Sequence, residues 1–347
     1  GIAQAYHRET MEYIGDIGKG LSIHGLFRDY AKMHDLLSVH AKVHPPGPIV
    51  VLWLVSYVAG RTALSLSIAT MIIGASSVVP LFLWVRAMLN TRTACTAALV
   101  YSLMPSIVLF NATSADMLFL PFVLFTLFFF WRAIHRPSVG YAAAAGIGYA
   151  FMSILSFSLL AIGAFFGFVG LWRMRQGHWR AVVLTAGVMI AAFLLVHGAI
   201  RLWSGFDIVE VFHLSKAQFD EDQFALELGA PRFPGWAWKF VNPMAWFYYA
   251  GIPVPGLFLW RLARPERDSK VLFIIFALTL IVLDLLYLAR GEGERSAMYI
   301  LPFMVVPAAH LLDQIGGTAR SYKPLMATLL FLAFQCWLTE SMLYTYW

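Results

Sequence analysis

The stretch R136-PSVGYAAAAGIGYAFMSILSFSLLAIGAFFGFVGLW-R173 is uncharged from Val139 to Trp172 and is bracketed by basic residues. Arg132 and Arg136 lie before it; Arg173, Arg175 and Arg180 follow. Lys and Arg collect in the cytoplasmic loops of membrane proteins. Two basic brackets on one side require an even number of crossings between them. A single helix crosses in roughly 17–25 residues, and this run is longer. It therefore predicts a hairpin of two spans, Val139–Leu155 and Phe157–Trp172, turning near Ser153–Ser158.

The rest of the chain reads the same way. Of 347 residues, 60% are hydrophobic and only 13% charged, with mean hydropathy +0.71. Soluble domains are nearer 45–50% apolar and about 25% charged. The composition excludes a soluble enzyme or a free nucleic-acid binder and predicts an all-α polytopic membrane protein. Cys95 and Cys336 both lie in apolar runs, which argues against a disulfide framework or a thiolate metal site. The chain opens at Gly1 on a polar stretch, so a helix before Gly1 is expected.

Eight further spans follow from the apolar runs: Arg61–Ala87, Thr93–Phe110, Met117–Trp131, Ala181–Trp203, Met244–Trp260, Val271–Ala289, Ser296–Leu312 and Pro324–Tyr344. The expectation is thus ten or eleven transmembrane helices. Loops between alternate spans carry thirteen of the 25 Lys and Arg and only Glu266, Asp268 and Asp313 in return, a net of +10. The remaining polar segments net −3, and Asp284 falls inside a span. Placing the basic loops in the cytoplasm satisfies the positive-inside bias throughout.

That assignment leaves two long segments outside. Residues 1–60 form the first extracytoplasmic loop, with an amphipathic, interfacial helix over Phe27–Val39 and a re-entrant run at Pro45–Gly60. Residues 61–204 are the first half of the bundle, 205–242 the second large outer loop, and 243–347 the second half. Nearly all the available chemistry lies on that outer side.

In the first loop, Asp16, Asp29 and Asp35 stand among His24, His34, His40 and His44. Carboxylates serve as general bases for an acceptor hydroxyl or as ligands for a hard cation; helix caps and solvated faces are their ordinary use. His40 and His44, four apart, would share a helix face with Zn²⁺-compatible spacing. The run His44-Pro45-Pro46-Gly47-Pro48 stops the chain at the membrane surface and presents His44 where a lipid phosphate would lie. Asp116, in the outer turn Asn111–Asp116, can cap the next helix or supply a second carboxylate. The turn Arg290–Arg295 packs four charges between two spans, and its arginine forks suit phosphate; Lys42 and Arg201 are further phosphate candidates. Asp220-Glu221-Asp222 reads as a solvated acid run. Trp236 and Trp238, with Trp246, Tyr248 and Tyr249, read as interfacial anchors or as a platform for a sugar ring. The mid-span Asp284 raises a transport reading.

The long acidic first loop, the HPPG boundary motif, the Asp in the next outer turn and the late Gly291-Glu-Gly-Glu-Arg-Ser-Ala-Met-Tyr299 segment together resemble the GT-C superfamily of polytopic glycosyltransferases. That group includes protein O-mannosyltransferases and aminoarabinose transferases. The resemblance implies a bacterial inner-membrane enzyme that moves a sugar from a polyprenyl-phosphate donor to an extracytoplasmic lipid, glycan or protein, with the bilayer as partner. By resemblance Asp16 is the base or a metal ligand, Asp29 its fallback, and Asp116 the second acid. Arg290 or Arg295, with His44 and Lys42, would hold donor phosphate; Trp236, Trp238 and Glu294 would meet sugar or acceptor. A divalent cation, Mg or Mn, would use Asp16, Asp116, His40 or His44. Asp16 is followed by Ile17 where many members carry an acidic pair, so an inactive assembly subunit of the same scaffold is the alternative, and a lipid flippase a third.

Overall fold

The computed structural model describes residues 3, 6–112, 114–229, 235–264, 266, 269–286, 295, 298–318 and 320–342, with the backbone alone at 223–229 and 235. These residues are helical, with no strand among them. Six helices are long and apolar enough to cross a membrane: Ala63–Met88, Ala115–His135, Phe157–Arg175, Trp179–Ser204, Met298–Thr318 and Lys323–Met342. A seventh span is the bent pair Thr91–Ser102 and Pro105–Asn111, turned by 52°. Pro105 has no N–H to continue the helix, and Met104 before it is extended. The chain is a multi-pass membrane protein.

In chain order, the first loop holds α1 (Ile23–Asp29) and α2 (Val39–Lys42), followed by α3 (Gly47–Ala59). Next come α4 (Ala63–Ser76), α5 (Val78–Met88), α6 (Thr91–Ser102), α7 (Pro105–Asn111), α8 (Leu120–His135) and α9 (Val139–Leu155). Then α10 (Gly163–Arg175), α11 (Trp179–Ser204), α12 (Ile208–Gly229), α13 (Trp238–Tyr249), α14 (Pro253–Ala263) and α15 (Lys270–Leu285). The last two are α16 (Pro302–Thr318) and α17 (Lys323–Met342). The sequence hairpin is present: α9 ends at Leu155, Ser156 is extended, and a 3₁₀ turn over Phe157–Ile162 leads into α10. The expected span over Met244–Trp260 is instead divided between α13 and α14, with Gly251 at φ +88 in the break. A Cβ there would fall 2.0 Å from Leu332 Cδ2, so glycine is required on two counts.

The core is aromatic. Trp84 of α5, Phe165 of α10, Phe276 of α15 and Phe303 of α16 touch pairwise, with centroids 5.2 to 5.9 Å apart. Each such offset or edge contact adds about 0.5–1.5 kcal/mol to the packing. The windows in Ala115–His135 and Met298–Thr318 are 72% and 78% buried, which makes them central; that in α11 is 17% buried and peripheral. At one end of the bundle Arg92 pairs with Asp313 at 2.5 Å, and Thr93 Oγ1 donates to the same carboxylate at 2.9 Å. This clasp ties the start of α6 to α16. Asp284 lies in the last turn of α15 rather than in mid-helix.

The first loop is not one amphipathic helix over Phe27–Val39. It breaks into α1, a 3₁₀ turn over His34–Leu36 and α2. Tertiary contacts override the local pattern. Ser22 Oγ caps α1 by accepting from Gly25 N at 3.0 Å. The first N–H groups of α2, at Val39 and His40, donate to the carbonyls of Thr10 and Met11. Phe27 packs on Trp203 and Phe206, docking α1 against the end of α11.

Candidate functional site

Two local devices position the site. The first is the junction of the N-terminal 3₁₀ turn Tyr13–Asp16 with α2. Asp16 is fully buried. Its carboxylate accepts from Ser38 N at 3.1 and 3.2 Å, Ser38 Oγ at 2.6 Å and Lys19 Nζ at 2.7 Å. Its lone pairs are thus committed to holding the loop. The second device is the HPP turn. Tyr30, buried, donates its hydroxyl to the carbonyls of Ala41 and His44, both at 2.9 Å. His34 Nε2 donates to the Lys42 carbonyl at 2.9 Å. Gly47 then seats α3 on the end of α9, its Cβ position lying 2.3 Å from the Ile154 carbonyl oxygen.

Between these devices the polar residues gather. Arg295 is 9% exposed and pairs with Asp116 at 3.3 Å, joining the outer turn of the first half to the late segment of the second. Ser114 caps the 3₁₀ turn Ala115–Leu118, accepting from Asp116 N and donating to Asp116 Oδ2, each at 3.1 Å. Tyr13 is buried, and its ring sits 6.0 Å from His44 and 6.2 Å from His40. His44 in turn lies 6.3 Å from Phe119. Burial, reinforced by the charges of Asp116 and Glu12, holds the Tyr13 phenol well above the usual tyrosine range. Tyr13 therefore stays protonated and is a hydrogen-bond donor in the site.

Burial also lowers His44 to about 4, and its Nδ1 is enclosed without a hydrogen-bond partner among the described residues. The imidazole is neutral at physiological pH. The unfolded chain binds the His44 proton below its ordinary pKa near 6.5, whereas the folded one does so only near 4. The stabilisation is complete above pH 6.5 and is lost as pH falls from there toward 4. Its full extent is up to about 3 kcal/mol. Thermal unfolding followed between pH 7 and 4.5 is expected to show Tm falling with pH, and His44→Gln to flatten that slope.

The other sequence candidates divide. Glu12, which the sequence reading passed over, is 6% exposed and pairs with His40 Nδ1 at 3.1 Å. Its charge reaches both Tyr6 and Tyr13, as does that of Asp116. No local motif marks Glu12; the signal is that it adjoins Tyr13 in the segment that the HPP turn covers. Glu9 carries no hydrogen bond or ion pair among the described residues and lines a cavity of ≈ 240 Å³ with Thr10, Gly15, Lys19, Leu36, Leu37 and Ser38. Asp29 is on the surface, bound by Arg28 at 2.7 Å and Lys32 at 3.1 Å; the Arg28 hydrogen bond, then that of Lys32, lowers its pKa. Lys42 lends its carbonyl to His34, and its side chain has no partner among the described residues. Arg201 pairs with Asp207 at 2.9 Å. Trp236 is 68% exposed and Trp238 begins α13. Asp220 and Asp222 make i,i+4 pairs with Lys216 and Gln218 on α12, the solvated arrangement. Arg290 and Glu294 lie outside the described residues.

Among the described residues no three His, Cys, Asp or Glu side chains converge as a ligand set. Asp16 is saturated, His40 faces Glu12 and Asp116 faces Arg295, so these residues do not fit a divalent cation.

Since the bonding of Asp16 is that of a structural keystone, Asp16→Asn is expected to lower stability by roughly 1.5–3 kcal/mol, the worth of charge-assisted hydrogen bonds. The Tm of the detergent-solubilised protein measures this. Loss of function with an unchanged Tm would instead make Asp16 part of the chemistry.

The fold is that of the GT-C membrane glycosyltransferases, with a polar site at the loop-bearing end of the bundle. Residues 43–200 match the dolichyl-phosphate-mannose-protein mannosyltransferase family, a stretch beginning one residue before His44. The oligosaccharyltransferase of Archaeoglobus fulgidus, solved in complex with Zn and sulfate, superimposes with TM-score 0.59 at 14% identity, over 85% of this chain and 44% of that one. ArnT from Cupriavidus metallidurans superimposes with TM-score 0.56 at 15% identity in both structures. In the apo state 88% of this chain and 57% of ArnT are covered; bound to undecaprenyl phosphate, 94% and 60%. This chain thus spans about half the length of the solved structures it matches. No curated protein matches it by sequence.

Proposed function

We propose that this protein transfers a sugar from a polyprenyl-phosphate donor to an acceptor hydroxyl, at the Asp116–Arg295 pair on the extracytoplasmic side of a bacterial inner membrane. The observation that carries the reading is the convergence of a buried arginine, Asp116, a protonated Tyr13 and the Glu12–His40 pair in one place. Such a reaction breaks the bond from the anomeric carbon to the phosphate oxygen and forms one to the acceptor oxygen. Negative charge builds on the departing phosphate, and an arginine fork at low exposure stabilises it far better than water-exposed charge would. Asp116 orients that fork. The acceptor proton must pass to a carboxylate within hydrogen-bond reach. With Asp16 committed to Ser38 and Lys19, this role falls to Glu12, whose charge reaches the same tyrosines as Asp116.

The apolar scaffold then serves the prenyl chain, and the fold shared with ArnT bound to undecaprenyl phosphate supports a lipid-phosphate donor. The neutral His44 ring next to Tyr13 can accept or donate a hydrogen bond without adding charge. Binding separates these roles. Polyprenyl phosphate, compared with the uncharged polyprenol, is expected to bind at least tenfold more weakly to Arg295→Ala than to the wild type, while polyprenol binding is unchanged. Equal affinity of both proteins for the phosphate would reject the phosphate site.

A further inference from the structure

The end of α8 remote from Asp116 carries a second concentration of charge. Ala115–His135 rises about 30 Å from one end to the other at 1.5 Å per residue, so this place is separate from the site above. From Met117 to Phe206 the sequence holds no acid, yet it includes Arg132, Arg136, Arg173, Arg175 and Arg180. The two basic segments meet through an aromatic stack. Trp131 lies on His135 at 3.8 Å, and Trp172 of α10 is 6.4 Å from Trp131 and 6.2 Å from His135. Trp131 Nε1 donates to the Ala87 carbonyl at 3.3 Å, which anchors the stack on α5. Arg132 and Arg173 directly follow Trp131 and Trp172 in the chain, so both arginines start from this stack; Arg173 also acts electrostatically on the His135 ring.

The arginines here have only neutral company. Arg132 lies over the Tyr141 ring at 5.3 Å. Arg173 Nη1 donates to Gln176 Oε1 at 2.8 Å. Among the described residues the Nε groups of both are enclosed without a hydrogen-bond acceptor, and no carboxylate pairs with either. Membrane orientation accounts for basic residues in these loops, but it needs only charge in water. It does not account for two half-buried guanidinium groups placed over a tyrosine ring or on a glutamine and left with unfilled Nε–H donors. Enclosed donors of this kind call for an acceptor, and at the edge of a bilayer the abundant bidentate acceptor is a lipid phosphate.

We propose that Arg132 and Arg173, which follow Trp131 and Trp172 in the chain, bind the phosphate of an anionic membrane phospholipid at the bundle end opposite the Asp116 site. The acyl chains would lie along α10 and α11, whose outer surfaces are largely exposed.

The test is native mass spectrometry of the delipidated full chain titrated with phosphatidylglycerol or phosphatidylcholine, in parallel with thermal unfolding. The expected result is preferential retention of phosphatidylglycerol and a rise in Tm. Both should fall at least tenfold in apparent affinity in the double variant Arg132→Gln/Arg173→Gln, and be recovered by Arg173→Lys on the Arg132 background. Arg264→Gln, which removes an equal charge from another basic loop, is expected to bind as the wild type does. Three results would overturn the proposal: no preference over phosphatidylcholine, an equal loss in Arg264→Gln, or inorganic phosphate at millimolar concentration displacing the lipid, which would make it a soluble-anion site. If the double variant does not fold, Arg132→Gln and Arg173→Gln singly are expected to weaken phosphatidylglycerol binding in the same direction, and no loss in either would overturn the proposal.

Discussion

Arg295→Ala is expected to lower kcat by about 10²–10³, the cost of removing one preorganised donor from a site of developing negative charge. The acceptor KM should change little, because the guanidinium meets the donor phosphate and not the attacking hydroxyl. Truncation also leaves Asp116 unpaired in a site where its partner is 9% exposed. Breaking a buried pair from one side costs about 3–5 kcal/mol, so stability must be measured beside turnover. The double variant Asp116→Asn/Arg295→Gln removes both charges and should regain most of the Tm while remaining inactive. Turnover that returns together with Tm would mean that the pair only holds the fold. Among the first-loop acids, Glu12→Gln is expected to reduce kcat by about 10²–10⁴, the range for a general base. If Glu9→Gln has that effect and Glu12→Gln does not, the proton goes to the open carboxylate in the neighbouring cavity.

Gly47→Ala should produce a large structural effect for a single added methyl group. The new Cβ would sit 2.3 Å from the Ile154 oxygen, 2.7 Å from its carbonyl carbon and 3.0 Å from Leu155 Cα. All three are backbone atoms at the end of α9, so no side chain can rotate away. Overpacking typically costs 1–3 kcal/mol, and a clash with backbone belongs at or above the top of that range. Because Gly47 directly follows the His44-Pro45-Pro46 turn, the displacement passes to His44 and from there to Tyr13. Expression yield, Tm and turnover should fall together. Gly167→Ala is the matched control. It lies in α10 with nothing within 4 Å of the new methyl, and there alanine should be neutral or slightly stabilising.

The contrast between those two glycines shows what could be read from sequence. The hairpin at Ser156 was legible, because charge on both flanks fixed the number of crossings and a serine-rich turn supplied the reversal. The span count was read less well at Gly251, where a single close approach to Leu332 decides the break and no local pattern reveals it. In the first loop, the amphipathic pattern of Phe27–Val39 suggested one helix. The structure divides it because Asp16 reaches Ser38, 22 positions away, and because Thr10 and Met11 offer their carbonyls to α2. Such contacts are tertiary and leave no periodicity.

The same reason explains the acids. Asp16 is picked out by resemblance, as the carboxylate that best matches the family's first-loop acid, and nothing local in the sequence distinguishes that role from a buried keystone. Glu12 was overlooked, since its partner His40 is distant in sequence. Asp116 and Arg295 could be singled out from opposite halves of the chain because each stands in a short charged or polar turn between spans, where few residues are available for chemistry. Their contact at 3.3 Å is a property of the fold alone.

The central claim is tested most directly by incubating the purified full chain, in lipid nanodiscs, with glycosyl polyprenyl phosphates of several sugar classes and following release of free polyprenyl phosphate. Acceptor-dependent release from at least one donor is expected of the wild type, with release reduced to about 1% or less in Asp116→Asn protein of comparable Tm. No consumption of any donor by the wild type, or equal release by Asp116→Asn, would contradict it.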